Sequence, residues 1–132
     1  MNCGYTGKLL HVDLTNRSIE IEDQDEAYYR SYLGGRGIGY QQLMKLVPPG
    51  TDALAPGNIL VLATGVMTGA PLAASCRFAA VGKSPLTGTA AESEAAGFFG
   101  PELKKAGFDA VVLKGRAETP VYLWVNDGLG AI

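Results

Sequence analysis

The spacing of apolar and polar positions divides the chain into short elements. Residues 6–14 read as a strand in which Leu9 and His11 join an imperfect alternation, and residues 18–22 (SIEIE) alternate as a returning strand. Asp13, Thr15 and Asn16 between them supply turn chemistry, so a hairpin is expected. Asp23 or Asp25 is placed to cap a helix carrying Tyr28, Tyr29, Tyr32 and Leu33, which Gly34 and Gly35 end. A second helix is expected after Gly37, with Tyr40, Leu43, Met44 and Val47 on one face and Pro48 and Pro49 stopping it. The apolar run 59–63 (ILVLA) reads as a buried strand, with further strands at 77–81 and 89–92. Pro101 suits the first turn of a helix that Gly107 closes, and residues 110–114 and 121–125 read as two more strands.

Short strands with few helices indicate an α+β fold built on a mostly antiparallel sheet. The last residues, VYLWVNDGLGAI, read as a strand, a turn at Asn126, Asp127 and Gly128, and the opening of a return strand at Ala131 and Ile132. A sheet cut there leaves an unpaired edge, which native chains avoid. The expectation is a fragment, either of a longer polypeptide or of a split protein.

Length and charge narrow the function classes. The 132 residues, 47% of them hydrophobic, suffice for one compact domain. A net charge of -2 argues against nucleic acid as a partner, since a polyanion binder shows a clustered basic face. No apolar run approaches the ~20 residues that span a bilayer. The opening MNCGYTGKLL lacks the charged and apolar regions of a secretory signal, so a cytoplasmic protein is expected. Cys3 and Cys76 are too few and too far apart for a disulfide framework or for the four ligands of an iron–sulfur cluster.

Eighteen glycines, about twice the usual ~7%, point to tight turns or to close backbone approach to a ligand. Seven of them lie in residues 65–107, where two glycine-rich loops bracket Arg77 and lead to a helix start, a combination suited to a bulky anion. The VGKS at 81–84 is not a P-loop, because Arg77 stands where the first glycine belongs and Pro85 and Gly88 make a turn where a helix is needed. The GGRGIG at 34–39 is not a dinucleotide fingerprint. It follows no strand, and reads either as a joint between helices or as a nest of N–H groups with Arg36 near an anion.

Arg77 lies in an otherwise apolar stretch (SCRFAAV), where its guanidinium needs a partner: a phosphate, or an internal pairing with Glu92 or Glu94. Glu92, Ser93 and Glu94 precede AAGFFG and read as surface carboxylates at a helix start, or as acid-base or cation-binding groups. Ala95, Ala96 and Gly97 are small enough for a ligand to reach the backbone. His11, the only histidine, reads as a packed or surface residue, and Trp124 and the tyrosines as ordinary sheet and core residues. No catalytic triad can be assembled, and no catalytic residue is assigned.

In order along the chain, YTGKLLHVDLTNRSIEIE, YLGGRGIGYQQL, a PLTG turn and AGFFGPELKKAGFDAVVLKGRAETPVYLWV resemble the N-terminal domain of the tungsten-containing aldehyde ferredoxin oxidoreductases, over nearly the whole chain. The resemblance implies an enzyme that oxidises aldehydes to carboxylic acids and passes electrons through a 4Fe-4S cluster to ferredoxin. It implies a tungsten, or molybdenum, centre held by two pterins joined through magnesium at their phosphates. It makes Arg77 a cofactor contact, Glu94 a magnesium ligand through its backbone carbonyl in place of the family's asparagine, and Ala96 a contact in place of a glycine. Ser93, Gly97 and Arg36 join them as cofactor-binding candidates. It also implies that this chain is the first half of a duplicated, cofactor-cradling domain. The cluster ligands and active-site residues would then lie in later domains of the polypeptide or in a partner subunit, and the chain would be inactive alone. The alternative is a non-catalytic stand-alone module that binds a partner subunit or assists cofactor assembly, with a homo-oligomer as one means of covering its edge.

Overall fold

The computed structural model describes residues 4–132. Its elements are β1 (Lys8–Asp13), β2 (Ser18–Asp23), α1 (Glu26–Tyr32), α2 (Arg36–Leu46), β3 (Ile59–Thr64), β4 (Phe78–Lys83), β5 (Ala90–Ala95), α3 (Phe99–Lys105), β6 (Ala110–Lys114), β7 (Trp124–Asn126) and β8 (Leu129–Ala131). The fold is α+β. Six strands form one sheet in the order β2-β1-β6-β3-β4-β5, and β7-β8 form a separate hairpin. Among the described residues only β1 and β6 pair in parallel, with Leu10 opposite Val111; the other strand pairs are antiparallel.

Local chemistry builds the first elements as expected. The Asp13 carboxylate accepts from Thr15 N and Asn16 N at 3.0 Å each, which closes the β1–β2 turn. Asp25 caps α1 by accepting from Tyr28 N at 2.9 Å. Ser84 Oγ accepts from Leu86 N and Thr87 N, so the VGKS segment is the β4 end and its turn.

The sheet separates two cores. On one face α1 and α2 cover Leu9, Val61, Val81 and Val112, with Ile38 fully buried between helix and sheet. On the other, α3 and the β7–β8 hairpin cover Leu10, Val12, Phe108 and Val111. Strand β6 faces both cores and sits in the middle of the sheet, so its first three residues, Ala110, Val111 and Val112, are all buried. Each buried valine contributes about 1.5–3 kcal/mol.

Several expected boundaries move. Residues 89–92 become the six-residue β5, and the acids at 92 and 94 therefore lie within a strand and not at a helix start. The strand expected at 121–125 shrinks to Trp124–Asn126: residues 121–123 stay outside any ladder, while Leu123 packs on the second core. Helix α2 begins at Arg36, ahead of Gly37. Arg77 precedes β4 and its side chain is 63% exposed, so it is not a buried charge. Residue Cys3 lies outside the described residues, and Cys76 is a half-buried free thiol.

Candidate cofactor cleft

Three turns meet beyond the ends of β3, β4 and β5. The first leads into α2. Leu33 ends α1 with φ 61°, and Gly34, at φ 124°, bridges to Gly65 across the sheet end. A Cβ on Gly34 would stand 2.8 Å from the Thr64 carbonyl, so glycine is required here. Gly35 N donates to that same carbonyl at 2.8 Å. No side chain caps α2 and no acid stands in its first turn, so the positive end of an 11-residue helix is left open.

The second turn, following β3, starts at Gly65 and is tied to the segment before β4 by Thr68, whose hydroxyl donates to Arg77 O at 2.7 Å. The third is the end of β5, the edge strand, where part of the backbone hydrogen-bonding capacity is unused. Between them lies a cleft of about 220 Å3 lined by Gly35, Gly65, Thr68, Arg77, Ala79 and Glu94 among others.

The cleft carries balanced charge. Arg36 reaches Glu94 at 2.7 Å and Glu92 at 3.2 Å, and Arg77 stands 3.8 Å from the other Glu94 oxygen. The hydrogen bond to Glu94, with the charges of Glu92 and Glu94, holds the Arg36 guanidinium above its ordinary range. Glu92 Oε2 is shielded from solvent without a hydrogen-bond partner. Both arginine side chains are more than half exposed, so solvent screens these pairs and they are readily exchanged for a stronger anion.

The expected site residues thus fall into two groups. Arg36, Arg77 and Glu94 converge at the cleft. Ser93 is one position out of phase with Glu92 and Glu94, which sends it to the opposite face of β5. Ala96 and Gly97 follow β5 as exposed residues leading to α3 and do not line the cleft. Thr68 and Gly65, which do line it, carry no sequence signal beyond the glycine richness of their loop. His11 lies elsewhere, with Nε2 2.8 Å from Glu22 in a polar groove of about 310 Å3 that also contains Lys45 and Lys114. Among the described residues no cluster of three or more His, Cys, Asp or Glu side chains is placed to hold a metal, and no helix is long and apolar enough to cross a membrane.

The fit to a bulky anionic cofactor rests on donors. Two partly exposed guanidiniums and an uncapped helix start stand at the cleft. A Cβ built on Gly35 meets nothing within 4 Å, so the backbone there is open to a ligand.

The fold is an α+β sheet with a charged cleft at its strand ends, and comparison places the chain in a family. Residues 9–132 match the family described as aldehyde ferredoxin oxidoreductase, N-terminal domain, and the chain belongs to it. The tungsten-containing aldehyde ferredoxin oxidoreductase of Pyrococcus abyssi is 43% identical over 124 residues, which are 94% of this chain and 20% of that protein. The aliphatic sulfonate oxidoreductase, WOR-like subunit, of Pyrococcus furiosus is 34% identical over 126 residues, or 93% and 20%. Among solved structures, the active site complex BamBC of benzoyl coenzyme A reductase with 1,5-dienoyl-CoA superposes with a TM-score of 0.94 at 37% identity, covering 99% of this chain and 20% of that one. The chain spans about a fifth of the length of these relatives.

Proposed function

We propose that this domain supplies part of the cradle for a tungsten–pterin (or molybdenum–pterin) cofactor in a cytoplasmic oxidoreductase that oxidises aldehydes to carboxylic acids. The observation that carries the reading is the convergence of Arg36 and Arg77 on one carboxylate at the open start of α2. That carboxylate occupies the position an anionic phosphate would take.

Arg77 and Arg36 bind cofactor phosphates once Glu94 rotates away, exchanging an exposed ion pair for a charge-assisted, forked contact. The Glu94 backbone carbonyl, on the edge strand, would hold the cofactor's magnesium. Ser93, on the opposite face of β5, and Ala96 and Gly97, beyond the end of that strand, are cofactor contacts outside the cleft itself, where small side chains leave the backbone approachable. When bound, the metal centre supplies the two-electron oxidation, with electrons leaving through a 4Fe-4S cluster in later domains to ferredoxin. The residues of this chain position and hold; none is assigned a bond-making step, and the chain alone is expected to show no turnover.

Inorganic pyrophosphate titrated into 15N-labelled protein tests the reading. Shifts at Gly35, Gly65 and Arg77 amides support it; shifts centred on His11, Lys45 and Lys114, or none, contradict it. A second reading, a non-catalytic module that docks a partner subunit, is favoured by exposed apolar side chains such as Leu60, Phe98 and Trp124. The size of the native polypeptide in cell extract separates the two: a species several times larger than 13.8 kDa supports the enzyme, and one of that mass the module.

A further inference from the structure

The Arg77 side chain is mostly exposed, so its usefulness to a ligand depends on where its backbone is held. The holding comes from a continuous path of hydrogen bonds beneath the cleft. Lys104, only 15% exposed, directs its ammonium at three acceptors: Gly4 O at 2.6 Å, Gly65 O at 2.8 Å and Asp109 Oδ1 at 3.3 Å. Three N–H donors meet three acceptors, so the ammonium is fully used. Gly65 O also accepts from Thr68 N at 3.0 Å, and Gly65 N donates back to Thr68 Oγ1 at 3.0 Å. That same hydroxyl donates its one proton to Arg77 O at 2.7 Å.

Thr68 is therefore the junction between the turn after β3 and the residue that presents the guanidinium. It is 7% exposed and spends both its accepting and donating capacity on this junction. Helix α3 is shaped to let it approach. A Cβ on Gly100 would stand 3.0 Å from Thr68 Cγ2 and 3.1 Å from Cys76 O. Gly100 and Lys104 are four residues apart and so share one face of α3, directed at the turn.

We infer that Thr68, braced from below by Lys104, is a positioning residue that sets where Arg77 meets an anion in the cleft. This rests on the proposed cofactor-cradling role. It assigns Thr68 no contact with the ligand: removing its hydroxyl frees the Arg77 carbonyl and lets the guanidinium lose its preset direction.

The test uses the full chain, with pyrophosphate affinity read by calorimetry and backbone order by amide hydrogen exchange. Thr68→Val keeps the shape and removes both hydrogen bonds, and is expected to weaken pyrophosphate about tenfold, while Thr68→Ser stays within about twofold of the parent. In an Arg77→Ala background Thr68→Val is expected to add nothing, since its effect acts through that arginine. Equal weakening in both backgrounds would mean a general structural role and overturn the inference, as would an unchanged affinity in the parent background. Exchange at Gly65 and Gly69 should accelerate in Thr68→Val; unchanged protection there removes the brace whatever the ligand does. Loss of no affinity in Arg77→Ala itself, or no binding by the parent, would overturn the cradle reading and, with it, the positioning role.

Discussion

Removing one oxygen atom from the interior, Tyr29→Phe, probes the knot that ties this domain together. Asp109 is 1% exposed, yet its carboxylate accepts from Thr6 N at 2.8 and 3.0 Å, Thr6 Oγ1 at 2.9 Å, Gly7 N at 2.9 Å and the Tyr29 hydroxyl at 2.7 Å. Lys104 adds its charge at 3.3 Å. The phenylalanine ring preserves the stacking on Tyr5, whose centroid is 4.1 Å away, so the change isolates the hydrogen bond. A bond to a charged group is worth about 1.5–3 kcal/mol, and because the other donors remain, the lower end applies: about 1.5–2 kcal/mol. For a chain of this size that lowers Tm by roughly 5–10 °C. Urea unfolding followed by circular dichroism reads the difference. The alkaline limb gives a second signature. Burial, then donation to Asp109, raises the Tyr29 phenol above its ordinary 10.0. A raised value stabilises the fold fully below pH 10 and loses that contribution as pH climbs above it. The parent should therefore fall toward Tyr29→Phe above pH 10, the gap between them narrowing. A variant as stable as the parent at pH 7, or a gap independent of pH, would mean that the Tyr29–Asp109 bond does not hold the fold together.

Two other perturbations follow from single contacts. Gly34→Ala places a Cβ against the Thr64 carbonyl at a φ of 124°, and should cost at least about 1–3 kcal/mol in thermal unfolding, whereas an unchanged Tm would show that the turn relaxes. At Glu22, burial raises the carboxyl, but hydrogen bonds from Lys45 and His11, each 2.8 Å away, outweigh it and leave the group below its ordinary 4.5. A depressed value stabilises the fold above pH 4.5 and is lost on acidification, so Glu22→Gln should be less stable than the parent at pH 6 and converge with it toward pH 3.

What could be read from the chain beforehand was local. The hairpin turn at Asp13, the cap at Asp25 and the apolar run of β3 follow from near neighbours, and all three stand where expected. The insertion of β6 between β1 and β3 joins Leu9 to Ala110 and Ile59 to Lys114, pairings between residues far apart in the chain, and its apolar run fits any buried strand. Arg77 was legible as a residue in need of an anion, but not as an exposed one, because burial depends on which strands flank β4 and where they end. Arg36 and Glu94 could be named separately; their 2.7 Å contact joins elements 58 residues apart. Asp109 offered a faint signal, an acid wedged between Phe108 and Ala110 at a strand start. Lys104 and Thr68 offered none, since a helical lysine and a loop threonine are ordinary surface residues until tertiary structure surrounds them.

In the proposed cradle, Arg77 anchors a metal–pterin cofactor through its phosphates. The direct measurement is the tungsten, molybdenum and pterin content of the native polypeptide carrying this domain, by mass spectrometry of the metals and fluorescence of the oxidised pterin, in the parent, in Arg77→Ala and in Lys114→Ala as a control in the distant groove. A fall of about tenfold or more is expected for Arg77→Ala with the control unchanged, as loss of a charge-assisted phosphate contact implies. Full metal and pterin content in Arg77→Ala would contradict it.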